Sequence, residues 1–221
     1  MNDHMTRHSY RDQLADQPLD VSIESDEVLF DGFRPLRKVT LSHGRLDDGA
    51  AIGPVSREFL ATGEVAIIIP YDPDLDAIVT IRQFRIGSAL VLDKAAALEL
   101  PAGLVDPGED VETAAARELE EETGLTARAI ERCYAFLTSP GLTTEHATVY
   151  LAIVDASKLA ETAGKAEEDE DIRPVLAPVD ELVTAVDEGW VENGFLIGCT
   201  HWFARKGRAK AHALLNSLSV D

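Results

Sequence analysis

Basic residues are scarce in this chain: 20 lysines and arginines stand against 40 aspartates and glutamates, a formal net charge of −20 at pH 7. A surface of that sign excludes a general nucleic-acid binder, which needs a basic face for phosphates. It also means that a phosphate-bearing ligand needs a cation or a local arginine in order to approach. Cysteine is nearly absent. Cys133 and Cys199 lie far apart and form no metal-ligand spacing, so they are expected to be reduced core thiols of a cytosolic protein. No apolar run is long enough to span a bilayer, and the opening MNDHMTRHSYRDQ has no segment resembling a signal-peptide core. The expected address is cytoplasmic, with neither membrane nor nucleic acid as partner. What is present is ordinary globular material, 45% hydrophobic over 221 residues. That is enough for one large domain, or for one domain with a substantial extension.

Along the chain, the first twenty residues are polar, and short apolar clusters between Val28 and Leu41 suggest brief extended pieces. His43 to Pro54 is a Gly- and Asp-rich link. Val65–Pro70 and Ala77–Phe84 have strand length and flank DPDLD, which predicts a hairpin turning at Asp72 to Asp76. Ile86–Ala97 shows no clear period. A helix is predicted from Val111 to Thr123, capped by Asp110 and stopped by Gly124. Strands are expected at Ala129–Leu137, Thr148–Val154 and Ile172–Val179, with helices over Asp180–Glu188 and roughly Phe195–Leu215. Strands before, between and after a few helices, without βαβ regularity, imply an α/β sandwich with a mixed sheet.

The informative segment is GLVDPGEDVETAAARELEEETGL, Gly103 to Leu125. An acidic run on a helix is ordinarily a solvated face. Here, at about 100° per residue, Val111, Ala115 and Leu119 define the apolar stripe; Glu122 falls inside it, Glu118 lies at its border and Glu121 is next to Glu118. Glu112 and Glu120 point elsewhere. Carboxylates crowded onto a partly buried face repel one another and resist desolvation. Such a cluster persists when a cation sits among its members, and oxygen-only ligands suit Mg²⁺ or Mn²⁺, which enters with substrate phosphates.

The same segment matches the Nudix box, G-x5-E-x7-R-E-U-x-E-E-x-G-U with U aliphatic, at Gly103, Glu109, Arg117, Glu118, Leu119, Glu121, Glu122, Gly124 and Leu125. The chain thus resembles the Nudix hydrolases. The resemblance implies their α/β/α sandwich, here preceded by a small N-terminal β extension. Residues 1–57 are expected to form the tail and extension, used in dimerisation, and residues 58–216 the hydrolase domain. Glu118, Glu121 and Glu122 would be metal ligands or close to them, with Glu121 a catalytic carboxylate, while Glu109 and Arg117 would form an ion pair that shapes the loop. Ala102, in LPAG, would offer its backbone carbonyl to the metal.

Outside the box the chain resembles the ADP-ribose pyrophosphatase branch, roughly from Phe30 to Phe203. Pro140 in SPGLTTE stands where that branch carries a proline, and with Glu145 it is implied to line the substrate pocket. SREFLATGEVAIIIPYDPDLDAIVTIRQFRIG resembles the strand pair before the box, implying that Arg57 and Arg85 hold the nucleotide, a task that suits arginine. Phe33 would face the base bound by a partner subunit, which makes a homodimer the expected assembly. AEEDEDIRP resembles the acidic loop of the branch, with Glu168 as general base and Glu170 as a further metal ligand; Glu167, one residue earlier, is the alternative register. His146 is another possible base.

The implied reaction is Mg²⁺-dependent hydrolysis (Mn²⁺ being a possible substitute) of the diphosphate in ADP-ribose or a related ADP-sugar, giving AMP and a sugar phosphate. The alternatives are another nucleotide sugar, such as GDP-mannose or UDP-glucose, and a non-catalytic module that senses a nucleotide sugar. RIGSALVLDKAAALELPAG departs from the branch, which leaves the terminal-sugar pocket open. The SQPWPF-type run of NADH pyrophosphatases is missing.

Overall fold

A computed structural model describes residues 14–47, 49–165 and 169–218. The chain divides into two compact units, one comprising residues up to Thr62 together with Gly141–Thr143, the other Gly63–Pro140 and Thr144 onward.

The first unit is a three-stranded antiparallel sheet, β1 (Val21–Phe30), β2 (Leu36–Gly44) and β3 (Ala51–Leu60), in that order. The brief extended pieces expected between Val28 and Leu41 are therefore long strands, and the Gly- and Asp-rich link ends in a third. The sequence concealed them because β1, VSIESDEVLF, buries neither face: Val21, Ile23, Val28, Leu29 and Phe30 are all exposed. Without one buried face there is no alternation to detect. Gly141–Thr143 joins this unit through a bridge between Leu60 and Thr143 and a 2.7 Å hydrogen bond between the Thr62 and Thr143 hydroxyls.

The second unit is built on a seven-stranded mixed sheet whose main path runs β10 (Arg173–Pro178), β5 (Ala77–Phe84), β4 (Glu64–Asp72), β9 (His146–Ile153) and β8 (Ala129–Leu137). β4 and β9 are parallel and buried on both sides, so alternate residues serve two cores. Val65, Ile67, Ile69, Val149, Leu151 and Ile153 pack with α3 (Val179–Asp187) and α4 (Gly194–Trp202). Ala66, Ile68, Tyr150 and Ala152 pack under α2 (Val111–Thr123) with Ala115 and Leu119. The sheet is thus covered by helices on both faces. A π-turn over Phe203–Gly207 continues α4 into α5 (Arg208–Leu218).

The β4–β5 hairpin pairs only at its tip, Tyr71 with Ile78 and Asp72 with Ala77. Asp72 is buried there and accepts N–H bonds from Asp74 (2.9 Å), Leu75 (3.1 Å) and Ala156 (2.8 Å), which closes the turn. Beyond the tip the two strands part. β6 (Ala96–Glu99) pairs with β5 and β7 (Ala102–Leu104) with β4. ELPAG is the crossing between them, and the Pro101 carbonyl accepts the Ile68 N–H at 2.9 Å. Ahead of β6, the segment that showed no period in the sequence contains a short helix, α1 (Ile86–Leu92), which buries no residue. A helix with no buried face carries no clear hydrophobic period, so its sequence had little signal to give.

Candidate active site

The inner face of α2 carries the acidic residues. Its ends are well specified: the Asp110 carboxylate accepts N–H bonds from Glu112 (3.0 Å) and Thr113 (3.3 Å), and Gly124 ends the helix at φ 71°. Leu119 and Glu122 are buried, Glu118 and Glu121 partly so, and Glu112 and Glu120 exposed. The helical projection located all five acids correctly.

Arg117 is the counter-ion of this face. Its Nε and Nη2 donate to the two Glu109 oxygens at 3.0 Å each, the ion pair expected between these residues. Nη2 also reaches the Leu104 carbonyl (3.0 Å), and Nη1 donates to Glu118 (2.6 Å) and Glu121 (3.1 Å). Glu121 gains a second cation in Lys165, whose Nζ lies 3.0 Å from it. The Arg117 bond holds the Glu109 carboxyl below its usual range, helped by the Asp106 N–H, while the Arg117 guanidinium is pushed up, chiefly by Glu109.

Glu122 has no such cation against it. It is 4% exposed, and its Oε2 accepts the Ala102 N–H at 2.8 Å. Burial pushes its carboxyl up to about 8; the Ala102 N–H opposes this, Glu118 and Glu170 add to it, and Arg85 opposes it. Burial raises Glu118 as well, against the pull of Arg117. The Glu118 carboxylate lies against β7 at Gly103, where a Cβ would stand 1.9 Å from its Oε1. Only glycine leaves room for it, which gives the first residue of the motif a steric reason.

Among the described residues no three acidic, histidine or cysteine side chains form a ready-made metal cage. Instead Glu118, Glu121, Glu122 and Glu170 each bind protein donors through one oxygen, and the other has no hydrogen bond among the described residues. An open, oxygen-only set of this kind fits Mg²⁺ or Mn²⁺, which completes its coordination with water and substrate phosphate.

Glu170 is tied to Lys165: its Oε2 accepts the Lys165 N–H (3.3 Å) and its own N–H donates to the Lys165 carbonyl (3.2 Å). Arg85, just after β5, feels Glu122 and Glu170 and forms an ion pair with Glu99 at 2.8 Å. The structure thus gathers Ala102, Glu118, Glu121, Glu122, Glu170 and Arg85. Pro140, exposed, and Glu145, half-buried, lie in the β8–β9 connection. Arg57 on β3 and Phe33 between β1 and β2 belong to the first unit, and Phe33 is 86% exposed. Glu167 and Glu168 lie outside the described residues. Sequence reasoning missed Glu99 and Lys165. Both were visible as exceptions, a lone acid within AAALELPAG and a lone base before an acidic run.

The raised Glu122 carboxyl makes a prediction for the metal-free protein. Because its folded value is about 8 against 4.5 unfolded, the folded state binds more protons between those values, and its stability falls as pH rises through the window. In EDTA, Glu122→Gln should remove this loss, raising Tm at pH 8 and changing it little at pH 5. An equal shift at both pH values would show that the burial of this charge has no such cost.

The NUDIX domain family model matches residues 62–194, more than half of the chain. The ADP-ribose pyrophosphatase of Escherichia coli (strain K12) is 34% identical over 183 residues, covering 83% of this chain and 87% of the relative. That of Haemophilus influenzae is 32% identical, covering 83% and 85%. A GDP-mannose pyrophosphatase of Cronobacter sakazakii is 31% identical, covering 79% and 90%. The crystal structure of an ADP compounds hydrolase superposes with a TM-score of 0.63 at 20% identity, over 87% of this chain and all of the other, a likeness of fold. With the motif complete, its acids gathered on one helix face and the family model spanning them, the chain belongs to the Nudix family.

Proposed function

We propose that this protein hydrolyses the diphosphate bond of ADP-ribose or a related ADP-sugar, giving AMP and a sugar phosphate. The observation that carries the reaction type is Glu122, buried beside Glu118 and Glu170 with one oxygen open and Arg85 nearby. The substrate class is supported by the names of the relatives that are 32–34% identical over most of both chains. GDP-mannose is the second reading, supported by the 31% identical relative.

Glu118, Glu122 and Glu170, with the Ala102 carbonyl, would hold Mg²⁺ or Mn²⁺. When bound, the metal neutralises the diphosphate and polarises the attacking water. Glu168 takes the water's proton. Glu121, held between Arg117 and Lys165, keeps the carboxylate array in place. Arg85 and Arg57 bind phosphate or base, and Pro140 and Glu145 line the pocket. We assign the chain to the cytoplasm; no helix among the described residues is long and apolar enough to cross a membrane.

The working protein is a homodimer in which residues 1–57, preceding the hydrolase domain, bring Phe33 to the partner's base pocket. The exposure of Phe33 and of the apolar residues of β1 supports this. Light scattering should give twice the 24.0 kDa chain mass; a monomer at assay concentration would refute the shared pocket.

With Mg²⁺ and a panel of nucleotide sugars, kcat/KM should be higher for ADP-ribose than for GDP-mannose or NADH, with AMP and ribose 5-phosphate as products. The reverse order would favour the second reading. Glu168→Gln should lower kcat by about 10²–10⁴-fold, the usual worth of a general base, while leaving Mg²⁺ and substrate binding in place. A wild-type rate, with Glu167→Gln inactive instead, would move the base by one residue.

A further inference from the structure

We infer that Glu99, and through it Asn193, are positioning residues for Arg85, fixing the edge of the guanidinium that is left to meet the diphosphate. The inference rests on the assignment of Arg85 to the substrate.

Glu99 ends β6, is 7% exposed, and stands three residues before Ala102, close enough in sequence to be taken for another metal ligand. Its oxygens are already occupied. Oε2 accepts from Arg85 Nη2 (2.8 Å), Arg85 Nε (2.9 Å) and Gln83 Nε2 (3.4 Å), and Oε1 accepts from Asn193 Nδ2 (2.9 Å) and Arg85 Nε (3.1 Å). A carboxylate has about four lone-pair sites, so little is left for a cation. What the arrangement provides is orientation. Arg85 is a long side chain, 46% exposed, that would otherwise sample many rotamers. Its Nε and Nη2 edge is bound, and among the described residues nothing hydrogen-bonds Nη1, which leaves that nitrogen and the planar face for a ligand.

The carboxylate that holds this edge is itself held. Gln83 supports it from β5, and Asn193 from the start of α4. Both ends of the Asn193 amide are engaged, its Oδ1 capping the helix by accepting the Leu196 N–H at 2.9 Å while its Nδ2 donates to Glu99. Two strands and the N-terminal cap of a helix thus fix one guanidinium. Ordering such a side chain beforehand removes a cost from binding.

Positioning and simple charge neutralisation predict opposite signs. If Glu99 only cancelled the Arg85 charge, Glu99→Gln would strengthen attraction for a polyanion and lower KM. If Glu99 positions Arg85, the substitution turns an N–H towards the guanidinium N–H groups and releases it. We expect KM for ADP-ribose to rise about 10-fold, the worth of one immobilised side chain. The rise in KM should exceed the fall in kcat, and the Mg²⁺ concentration for half-maximal activity should not change. Asn193→Ser, which keeps a helix-capping oxygen but loses the amide donor, should shift KM in the same direction by less. On an Arg85→Ala background neither substitution should raise KM further.

A lowered KM, effects that multiply with Arg85→Ala, or a shifted Mg²⁺ requirement would each overturn the inference. Should Glu99→Gln fail to fold, Asn193→Ser carries the same cycle. Arg85→Ala with wild-type KM would instead sink the assignment of Arg85 to the substrate, an outcome separate from additivity in the cycle.

Discussion

The repulsion among Glu118, Glu121 and Glu122 on the sheet-facing side of α2 is the constraint around which the hydrolase unit is arranged. Carboxylates crowded on one partly buried helix face repel one another and oppose packing of the helix, Glu121 adding to the rise of Glu118 and Glu118 to that of Glu122. The fold answers with different means at each. Glu121 is bracketed by Arg117 and Lys165, Glu118 shares Arg117, and Glu122 has the Ala102 N–H. The gradient runs from the best neutralised acid to the least, and the least neutralised is the most buried. In the proposed site a divalent cation among the open oxygens would relieve the charge that the protein donors leave.

The splayed hairpin is what makes this possible. Had β4 and β5 stayed paired along their length, neither β6 nor β7 would have a strand edge to join. Because they part after Tyr71 and Ile78, ELPAG crosses the opening and sets Glu99 against Arg85 and Ala102 against Glu122. Gly103 then gives the space in which the Glu118 carboxylate lies on the backbone. The motif's glycine, its carboxylates, and Glu99 and Ala102 of the crossing that precedes it are therefore parts of one packing solution. The helical caps at Asp110 and Gly124 limit α2 to the length that presents all three acids to this crossing.

Acidity of the whole chain and basicity at chosen points belong together. A net charge of −20 repels a diphosphate at long range. The few arginines placed near the acids consequently matter more than their number suggests, and two of them, Arg117 and Arg85, are held by carboxylates at 3.0 Å or less in their shortest contacts. Arg117 is spent on structure, with each of its three nitrogens donating to Glu109, Glu118, Glu121 or the Leu104 carbonyl. Among the described residues Arg85 has one nitrogen without a hydrogen bond, which is a difference of placement and not of residue type.

Much of this was legible in the residue order. The α2 boundaries, the buried side of its acids and the β4–β5 turn follow from local rules of period and capping that act within about fifteen residues, while the Glu109–Arg117 pair was implied by the resemblance to the Nudix motif. The first-unit strands and α1 were not legible, because β1, β3 and α1 are largely exposed and β2 is half-buried along its length, so none sets a buried face against an open one. Nor was the site's supporting frame. Glu99 meets Asn193 across 94 positions of sequence, and its partners are selected by where two parting strands and a helix start happen to converge. By itself the sequence determined which helix carries the acids and which side of it they occupy, since helical periodicity is a property of neighbours. Only the tertiary structure decided which acid is paired, which is left open and which arginine is oriented, because those depend on donors brought from distant segments.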